Sequence, residues 1–294
     1  MTKSGWKYKT LKNGTLEIMG YSGKKTSLTI PAKIGGKKVS SIGEGAFVES
    51  GMKSVKIPGT VKKIGNSAFA YCIGLKSVKI PRGVTSIGDS AFIYCSNLKS
   101  VELPETLKRV EGWAFWYTGL KSLTIPKSLT KIGDNAFNYT QSLKTIKVRS
   151  GNSVYCAQDG VLFTKDKKTL ICFPAGKKGS YTVPKSVKKI SEFAFGWSGL
   201  KNIKFQKGLV TIEKLAFGSS SLKRVVLPEG LKTIGTSAFS LCSQLESVTI
   251  PKSVKKIEGN IFFDASDKLK LKVVRGSYAQ KWAKRNNIPY SYIK

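Results

Sequence analysis

The sequence predicts a single α/β repeat fold, a solenoid in which short coils of chain stack on one another. Three observations favour it. The dipeptide Ala-Phe, or a close variant, recurs with a period of 22 or 23 residues over most of the 294-residue chain. Within each period apolar residues alternate with polar ones, as in a short strand with one buried face. The two ends of the chain depart from the period, as caps over a stack would.

The repeat is clearest when the sequence is aligned on the second residue of the dipeptide. These phenylalanines are Phe47, Phe69, Phe92, Phe115, Phe137, Phe195, Phe217, Phe239 and Phe262. Residues 75–92 read Leu-x-x-Val-x-Ile-Pro followed by Val-x-x-Ile-Gly-x-x-Ala-Phe, and this period and core match a leucine-rich repeat. The variation in period falls between Phe and the next Leu, so this link is expected to be a surface loop.

Each coil is expected to contain a short parallel strand, from which Val78 and Ile80, for example, point inward. Pro81 ends that strand, because proline donates no ladder hydrogen bond. Val84 and Ile87 begin the opposite wall, and the rest of each coil is expected to consist of short helical turns or irregular coil. The polar position ahead of Ala-Phe is expected to cap a single helical turn, and it is occupied by Asn66, Asp89, Asp134 and Thr236.

The whole chain, residues 1–294, is predicted to form one solenoid domain. Its parts are residues 1–31, an N-terminal β cap; 32–148, repeats; 149–183, a β-hairpin insertion; 184–268, repeats; and 269–294, a C-terminal helical cap.

Alternation and turn residues predict the strands of the first cap and of the insertion. The N-terminal cap is expected to have strands at 15–18 and 27–30, joined by a turn. The insertion is expected to be a hairpin of residues 160–164 and 169–173 around a lysine-rich tip.

The C-terminal cap is expected to be a helix. Ser277 is a suitable N-cap, and Tyr278 and Trp282 then fall on one face. Asn286 or Asn287, followed by a proline, stops the helix.

The recurring pattern IP-x-x-V-x-x-IG-x-x-AF-x-x-C-x-x-L-x-x-V-x-I resembles the BspA-like (TpLRR-type) leucine-rich repeats of bacterial surface proteins. Residues 14–21 are similar to the entry cap of that family, and residues 276–284 to its exit helix. The resemblance implies a horseshoe-like solenoid with a parallel sheet on its concave side. It also implies roles in surface attachment or host-protein binding, and it carries over no catalytic residues.

Composition argues against an enzyme. The chain has 51 Lys and Arg, 17 Asp and Glu, no His, and a net charge of +34. Without histidine there is no Ser-His-Asp site, no HExxH zinc site and no imidazole base. The densest acidic cluster is Glu102, Glu105 and Glu111, which we do not expect to face a common cleft as a glycosidase requires. We expect no catalytic residue, no metal and no cofactor.

Lysines recur in register. The position after the first Leu or Met of the repeat is a lysine in seven coils, and only Glu246 interrupts the series. These lysines are Lys53, Lys76, Lys99, Lys121, Lys144, Lys201 and Lys223. Lys56 and Lys79 add to the same sheet face. The opposite wall repeats the theme at Lys62, Lys63, Lys108, Arg109, Lys131, Lys188, Lys189, Lys232, Lys255 and Lys256. A rigid row of cations suits a linear polyanion, whereas the alternative is that lysine only keeps the surface soluble.

An aromatic column stands two residues after the repeated phenylalanine, at Tyr71, Tyr94, Tyr117, Tyr139 and Trp197. Two interpretations remain open. These rings pack on one another between coils, or they stack the faces of sugars beside the lysines.

The cysteines have two settings. Cys72, Cys95 and Cys242 share one small-residue slot, and their parallel Cβ vectors suit reduced packing residues better than disulfides. Cys156 and Cys172 both belong to the insertion, where a bridge is the less favoured alternative. Neither a CxxC pair nor a histidine accompanies them, so a metal site is not expected.

The leading hypothesis is a non-enzymatic binding and adhesion module at the cell surface. Its partners are expected to be extracellular acidic polymers, such as sulfated or sialylated glycans and teichoic acids, or host glycoproteins. The rival is protein recognition by the sheet without polyanion binding, through Glu102, Thr124, Val226 and Thr249. Nucleic acid is disfavoured because no recognition motif accompanies the charge.

An extracellular or cell-surface location is expected from the resemblance, with the cytoplasm as the alternative. Residues 1–10 contain no apolar run that would suit a signal peptide, and no stretch is apolar enough for membrane insertion.

Overall fold

The computed structural model describes residues 5–293. Residues 1–4 of the predicted N-terminal cap and residue 294 of the predicted C-terminal cap lie outside the described residues. The chain falls into two compact units, unit 1 (residues 1–155) and unit 2 (residues 156–294). Each is described separately, and a single domain spanning residues 1–294 stays a prediction.

Unit 1 is a stack of coils held together by parallel strands. Its strands are β1 (Trp6–Thr10), β2 (Leu16–Tyr21), β3 (Ser27–Thr29), β4 (Lys33–Ile34), β5 (Lys37–Ile42), β6 (Ser54–Lys56), β7 (Lys63–Ile64), β8 (Ser77–Lys79), β9 (Ser86–Ile87), β10 (Ser100–Glu102), β11 (Arg109–Val110), β12 (Ser122–Ile125), β13 (Lys131–Ile132) and β14 (Thr145–Val148). The main ladder runs β1-β2-β5-β7-β9-β11-β13, with β4 beside β5. The LxxLxL strands pair in parallel as β3–β6, β8–β10 and β12–β14.

Each coil therefore has two strand-bearing walls, as the alternation predicts. In β8 the central Val78 is buried and its neighbours are exposed. After the strand the proline carbonyl accepts a turn hydrogen bond three residues on, as from the amide N of Val84 to the O of Pro81 at 3.0 Å. The parallel strands and the proline at the strand exit are confirmed.

The Ala-Phe segment is not the predicted helical turn. Ser67 and Tyr71, two residues before and two after Phe69, both have left-handed backbones with φ of 50° and 58°. The amides of Ser67, Phe69 and Tyr71 donate to the next coil, each at 2.8 Å. The same geometry recurs through both units. The segment is thus a third ladder between coils, in which alternate amides point along the stack.

The predicted helix caps at Asn66, Asp89, Asp134 and Thr236 are consequently wrong. An N-cap satisfies amides that a helix leaves free, whereas alternate amides of this segment already donate to the next coil. The side chain of Asn66 acts between coils instead, since its Oδ1 accepts the amide N–H of Asp89 at 3.1 Å.

The core of unit 1 is a column of stacked rings. The centroids of Phe47, Phe69, Phe92, Phe115 and Phe137 follow one another at 5.2, 5.0, 5.2 and 5.7 Å. The rings are offset and nearly parallel, a favourable aromatic arrangement. Each phenylalanine packs on its own copy in the next coil, which explains why the period is kept.

The start of unit 1 differs in part from the prediction. The predicted strands at 15–18 and 27–30 exist as β2 and β3 but do not pair with each other. β2 pairs with β1 in an antiparallel arrangement and with β5 in a parallel one, while β3 pairs with β6. The buried ring of Trp6 on β1 meets Phe47 at 6.4 Å, edge to face. The hairpin β1–β2 therefore occupies the end of the ladder.

Unit 2 repeats this construction. Its strands are β15 (Tyr155–Gln158), which begins at the boundary, β16 (Val161–Thr164), β17 (Thr169–Cys172), β18 (Gly179–Val183), β19 (Lys189–Ile190), β20 (Leu200–Phe205), β21 (Thr211–Ile212), β22 (Arg224–Val226), β23 (Thr233–Ile234), β24 (Ser247–Ile250), β25 (Lys256–Ile257), β26 (Lys270–Val273) and β27 (Tyr290–Tyr292), with helix α1 (Tyr278–Arg285) before β27. The ladder runs β15-β16-β17-β19-β21-β23-β25.

The predicted hairpin of the insertion is present as the antiparallel pair β16–β17. It is also part of the stack, because β17 pairs in parallel with β19. Phe173 then stacks on Phe195 with centroids 5.0 Å apart, and its amide donates to the O of Ala194 at 2.8 Å. Phe173 is therefore the phenylalanine of a coil that the alignment missed. From it the column continues to Phe217, Phe239 and Phe262.

The C-terminal helix is confirmed with one correction. Ser277 caps α1, its Oγ accepting the amide N–H of Gln280 at 3.2 Å, and Asn286 ends it. Trp282 is buried and meets Phe262 at 6.2 Å. Tyr278 was expected on the same face, yet it is 39% exposed. The buried stripe is instead formed by Trp282 with two alanines at positions 279 and 283, and Tyr278 lies at its edge.

After α1 the chain adds the unpredicted strand β27, parallel to β26. No helix within residues 5–293 has the length and apolar character that a bilayer crossing would need.

Candidate anion-binding surface

The lysine column of unit 1 consists of Lys53, Lys76, Lys99, Lys121 and Lys144, all exposed. The amide of Lys99 donates to the O of Lys76 at 2.9 Å, that of Lys121 to Lys99 at 3.3 Å, and that of Lys144 to Lys121 at 3.0 Å. Chains bonded in this way lie about 4.8 Å apart. Four of these side chains therefore start from one row, which is the stacking that the sequence predicts.

The lysine column carries no compensating acid among residues 5–293. None of the ion pairs there includes one of its five members. The next outward position on the same strands is partly compensated by acid, because Lys79 Nζ lies 2.9 Å from Glu102 Oε2. Lys56, at the same position one coil earlier, is exposed and outside the ion pairs of residues 5–293. Ammonium groups about 7 Å apart in water repel by roughly half a kcal/mol per pair, and stacking tolerates this cost.

The opposite wall has the same residue type but a different charge pattern. Glu111 lies between Lys131, with Nζ 2.9 Å from Oε2, and Arg109, with Nε 3.9 Å from Oε1. In unit 2, Lys189 Nζ lies 3.0 Å from Glu213 Oε1. Four of the ten cations on this wall are thus paired with acids, the fourth being Lys256 with Glu258. The lysine column of unit 1 differs in that none of its members is paired.

The acidic cluster of the sequence is dispersed among cations. Glu102 is exposed beside Lys79, and Glu105 accepts the amide N–H of Lys127 at 3.0 Å. Glu111 lies on the other wall. Within the described part of the chain, no three Cys, Asp or Glu side chains converge on a position that would hold a metal ion.

The aromatic column of unit 1 is packed. Centroids of Tyr71 and Tyr94 lie 4.9 Å apart with planes 8° from parallel, and Tyr94–Tyr117 and Tyr117–Tyr139 follow at 5.0 and 4.8 Å. Partial burial, and then the neighbouring Tyr117 and Tyr94 hydroxyls, raise the pKa of Tyr139. The interpretation that these rings pack on one another is confirmed for the four tyrosines. Trp197 belongs to unit 2, where it stacks on Phe193 of its own coil at 5.5 Å.

In unit 2 the equivalent column has Lys201, Lys223 and then Glu246. The amide of Glu246 donates to the O of Lys223 at 2.8 Å. Lys270 of the last coil lies opposite Ser247 and is therefore outside the column. The column of unit 2 thus contains an acid after its two lysines.

A recess of about 790 Å³ opens beside Lys201 and Lys223. Its lining is basic and polar and consists of Lys178, Gly199, Lys201, Asn202, Ser221, Lys223, Arg224 and Gln244. Sequence reasoning missed Lys178 and Arg224. Arg224 Nε lies 3.9 Å from Glu246 Oε2, beyond hydrogen-bond distance.

The cysteines are packing residues, as predicted. Cys72, Cys95 and Cys242 are free and buried. Each Sγ lies 3.0 to 3.1 Å from the carbonyl O of the phenylalanine one coil earlier. Burial raises the pKa of Cys72 to about 12. Cys156 and Cys172 are also free, so the alternative of a bridge between them is not realised.

Stacked coils with LxxLxL strands, a proline exit and a buried phenylalanine column define a leucine-rich repeat protein. In a comparison with known families, residues 21–155 and 172–277 match the BspA type leucine-rich repeat region, in six copies. The match covers most of the sequence, and the chain belongs to the BspA type leucine-rich repeat family. The resemblance drawn from the sequence is confirmed.

Solved structures with a similar fold include the pneumococcal vaccine antigen PcpA, with a TM-score of 0.74 and 24% identity over 100% of this chain and 98% of that one. A leucine-rich cell surface protein of Faecalibacterium prausnitzii has a TM-score of 0.67 and 28% identity over 96% of each chain. The T. pallidum leucine-rich repeat protein TpLRR has a TM-score of 0.52 and 19% identity over 83% of this chain and 90% of that one. A search of curated proteins gave no match.

Proposed function

We propose that this chain is a binding or adhesion protein of a bacterial cell surface, and that the lysine column of unit 1 binds linear acidic polymers. Membership of the BspA type family supports the general part. So does the similarity to the F. prausnitzii protein, which is described as a cell surface protein. The expected ligands are sulfated or sialylated glycans, teichoic acids and acidic glycoproteins.

The observation that carries the proposal is the difference in ion pairing between the lysine column and the opposite wall. Four of the ten wall cations pair with glutamates, whereas all five members of the lysine column are outside the ion pairs of residues 5–293. Cations in a straight row with the spacing of the strands attract an extended polyanion over several contacts at once. Lys76, Lys99, Lys121 and Lys144 provide that row.

Charge reversal tests the proposal. The variant K76E/K99E/K121E reverses three members of the column. The control K12E/K62E/K108E reverses three exposed lysines elsewhere in unit 1 that are outside the ion pairs of residues 5–293, and it has the same net charge. Binding to heparin and to a teichoic acid is measured by calorimetry at 50 and 200 mM salt, with circular dichroism to verify folding.

We expect the column variant to lose at least tenfold in affinity and the control to lose less than threefold. The slope of log affinity against log salt should fall by about 2 to 3 in the column variant, because each lost contact releases roughly one counterion fewer. Equal losses in both variants would leave only general attraction to a basic protein. Absence of binding at 50 mM salt would refute the proposal.

Protein recognition through the LxxLxL strands is a second candidate, because Val226 is 64% exposed at the end of β22. It lies beside Thr249 of β24, and Glu102 and Thr124 hold the corresponding outward positions in unit 1. If V226S/T249S weakens attachment to a host glycoprotein more than K76E/K99E/K121E does, the sheet positions rather than the cations select the partner.

A further inference from the structure

The link between the phenylalanine of one coil and the Leu or Met of the next varies in length. Four links span six residues, and the last one, Phe262–Leu269, spans seven. The short links span five residues and are Phe47–Met52, Phe115–Leu120, Phe195–Leu200 and Phe217–Leu222. In unit 1 the two short links are separated by longer ones. In unit 2 the two short links, Phe195–Leu200 and Phe217–Leu222, belong to consecutive coils.

Recesses lie where neighbouring links differ in length. At the short link Phe115–Leu120 of unit 1, a recess of about 150 Å³ is lined by Gly119 of that link and by Ser96 and Gln141 of the flanking longer links. A short link has one residue fewer with which to fill the surface between its neighbours. Where the last link lengthens to seven residues, a recess of about 380 Å³ includes Ser243 and Asp264.

The two consecutive short links in unit 2 produce the largest of these recesses, about 790 Å³. Gly199 and Ser221 of the short links line it, together with Gln244 of the next, longer link. The volume is within the range of roughly 300 to 1,000 Å³ that is usual for small-molecule sites. It is thus wide enough for a ligand of several rings or groups.

The side chains around this recess depart from the repeat. The second residue after the repeated Leu or Met is Asn202 and Arg224 in the two coils with consecutive short links. In the last coil Lys270 lies opposite Ser247, and in the six other aligned coils the position is Ser or Thr. The stack itself does not require these residues, since serine serves elsewhere. Asn202 Nδ2 donates weakly to Ser180 Oγ at 3.4 Å. Lys178 reaches in from the preceding segment, with its Cγ 3.6 Å from the site of a Cβ on Gly199.

We infer that this recess binds a compact ligand bearing two or more sulfate or phosphate groups. Four cations line it, and no Asp or Glu does. The planar guanidinium of Arg224 suits bidentate contact with a tetrahedral oxyanion. The amides of Asn202 and Gln244 supply neutral donors. This inference extends the proposed anion binding to a second ligand form, because Lys201 and Lys223 hold the same repeat position as the lysine column of unit 1 but the recess needs no polymer along unit 1.

Replacing Asn202 and Arg224 with the serine that other coils have at this position tests whether the lining of the recess binds anions. The full chain is titrated at 50 mM salt with inositol hexakisphosphate and, separately, with a trisulfated heparin disaccharide. The variant N202S/R224S restores serine at both positions and removes one charge. The control K232S removes one charge from the opposite wall of unit 2, at an exposed lysine outside the ion pairs of residues 5–293. We expect at least a tenfold loss for the first variant and less than twofold for the control.

Link length provides an independent test. Inserting one residue before Ser221 gives this link the common six-residue length and keeps every cation. We expect it to lower affinity for both probes at least fivefold, with the fold verified by circular dichroism. Full affinity in the insertion variant, equal losses in N202S/R224S and K232S, or no binding of either probe would overturn the inference. Binding of one probe alone identifies sulfate or phosphate as the preferred group.

The two proposals fail separately. If K76E/K99E/K121E binds compact anions normally but loses heparin, the recess is an independent site. If heparin binds along unit 1 and neither compact probe binds, only the recess inference is lost.

Discussion

Units 1 and 2 have similar interiors and different surfaces. Each has an antiparallel hairpin, β1–β2 or β16–β17, whose second strand joins a parallel ladder. Each has a phenylalanine column with successive centroids 5.0 to 5.8 Å apart. Outside, unit 1 has an uninterrupted lysine column and stacked tyrosines. Unit 2 has Glu246 within its column and the large basic recess.

This difference shows which positions are constrained. A buried residue packs on its own equivalent in the next coil, so a change in one coil disturbs two neighbours. The exposed position after the repeated Leu is less constrained, since it is Lys223 in one coil and Glu246 in the next. Ligand preference can therefore change from coil to coil while the core stays constant.

The largest expected effect is on the shared core. Phe92→Ala in unit 1 and Phe217→Ala in unit 2 each remove a fully buried ring between two others, and each should lower the free energy of unfolding by about 3 to 5 kcal/mol. Chemical denaturation measures it. Phe263→Ala, at a 61% exposed ring, is the control and should cost far less. A loss below about 1 kcal/mol in one unit would show that the two cores are not equivalent.

Alkaline pH provides the next test. Burial raises the pKa of Cys72 from its ordinary 9.0 to about 12 and also raises that of Cys95. Below pH 9 the thiols are neutral in both states, and their contribution to stability is complete. As pH rises above 9 the unfolded chain loses these protons first, so stability falls until the folded thiols ionise.

Replacing Cys72 and Cys95 with threonine, the residue at the same slot in two other coils, removes this dependence. At pH 10 the wild type should have lost about 1 kcal/mol per thiol more than C72T/C95T, relative to pH 8. Urea midpoints at the two pH values measure it. Identical pH dependence in the two proteins would mean that these thiols titrate normally. In unit 2, C242T should reduce the pH dependence in the same direction, because burial also raises the pKa of Cys242.

The cap of α1 is specific to unit 2. Ser277→Ala removes the hydroxyl that accepts the Gln280 amide and should cost about 1 kcal/mol. Ser277→Thr keeps a capping hydroxyl and should restore most of it. Thermal unfolding measures both, and equal stability of the two variants would show that the hydroxyl is not used as a cap.

The smallest expected effect comes from making unit 2 resemble unit 1. Glu246→Lys completes the column of unit 2 and removes the acid beside Arg224. The cost should be below about 1 kcal/mol and should disappear in 1 M salt, where charges are screened within about 3 Å. At low salt, the heparin affinity of the Glu246→Lys variant should be higher than that of the wild type. An unchanged heparin affinity would indicate that the charges of this column do not act together.

Much of this architecture could be predicted because the period is carried by buried residues. Apolar residues recur from coil to coil at the positions of Val78, Ile80 and Phe92. The hairpin and α1 have ordinary turn and cap signals. Phe173 was missed because Cys172 precedes it in place of alanine, although it lies 22 residues before Phe195.

Other features depend on contacts that no local pattern records. The left-handed positions at Ser67 and Tyr71 lack the glycine that usually indicates them. The pairing of Glu111 with wall cations depends on which side chains meet between coils. The recess depends on two short links being consecutive, and the length of one link alone does not predict it.

The amide ladder at the repeated phenylalanine also bears on how such a protein can change in length. In most coils the Phe amide donates to the carbonyl of the residue before the phenylalanine of the following coil, as from Phe69 N to Ala91 O and from Phe239 N to Ile261 O, so these coils offer their neighbours the same donors and acceptors. Deleting or duplicating one whole coil would leave no backbone group without a partner. A lineage can therefore add or remove one ammonium group at a time, and adjust its avidity for a long polymer in discrete steps.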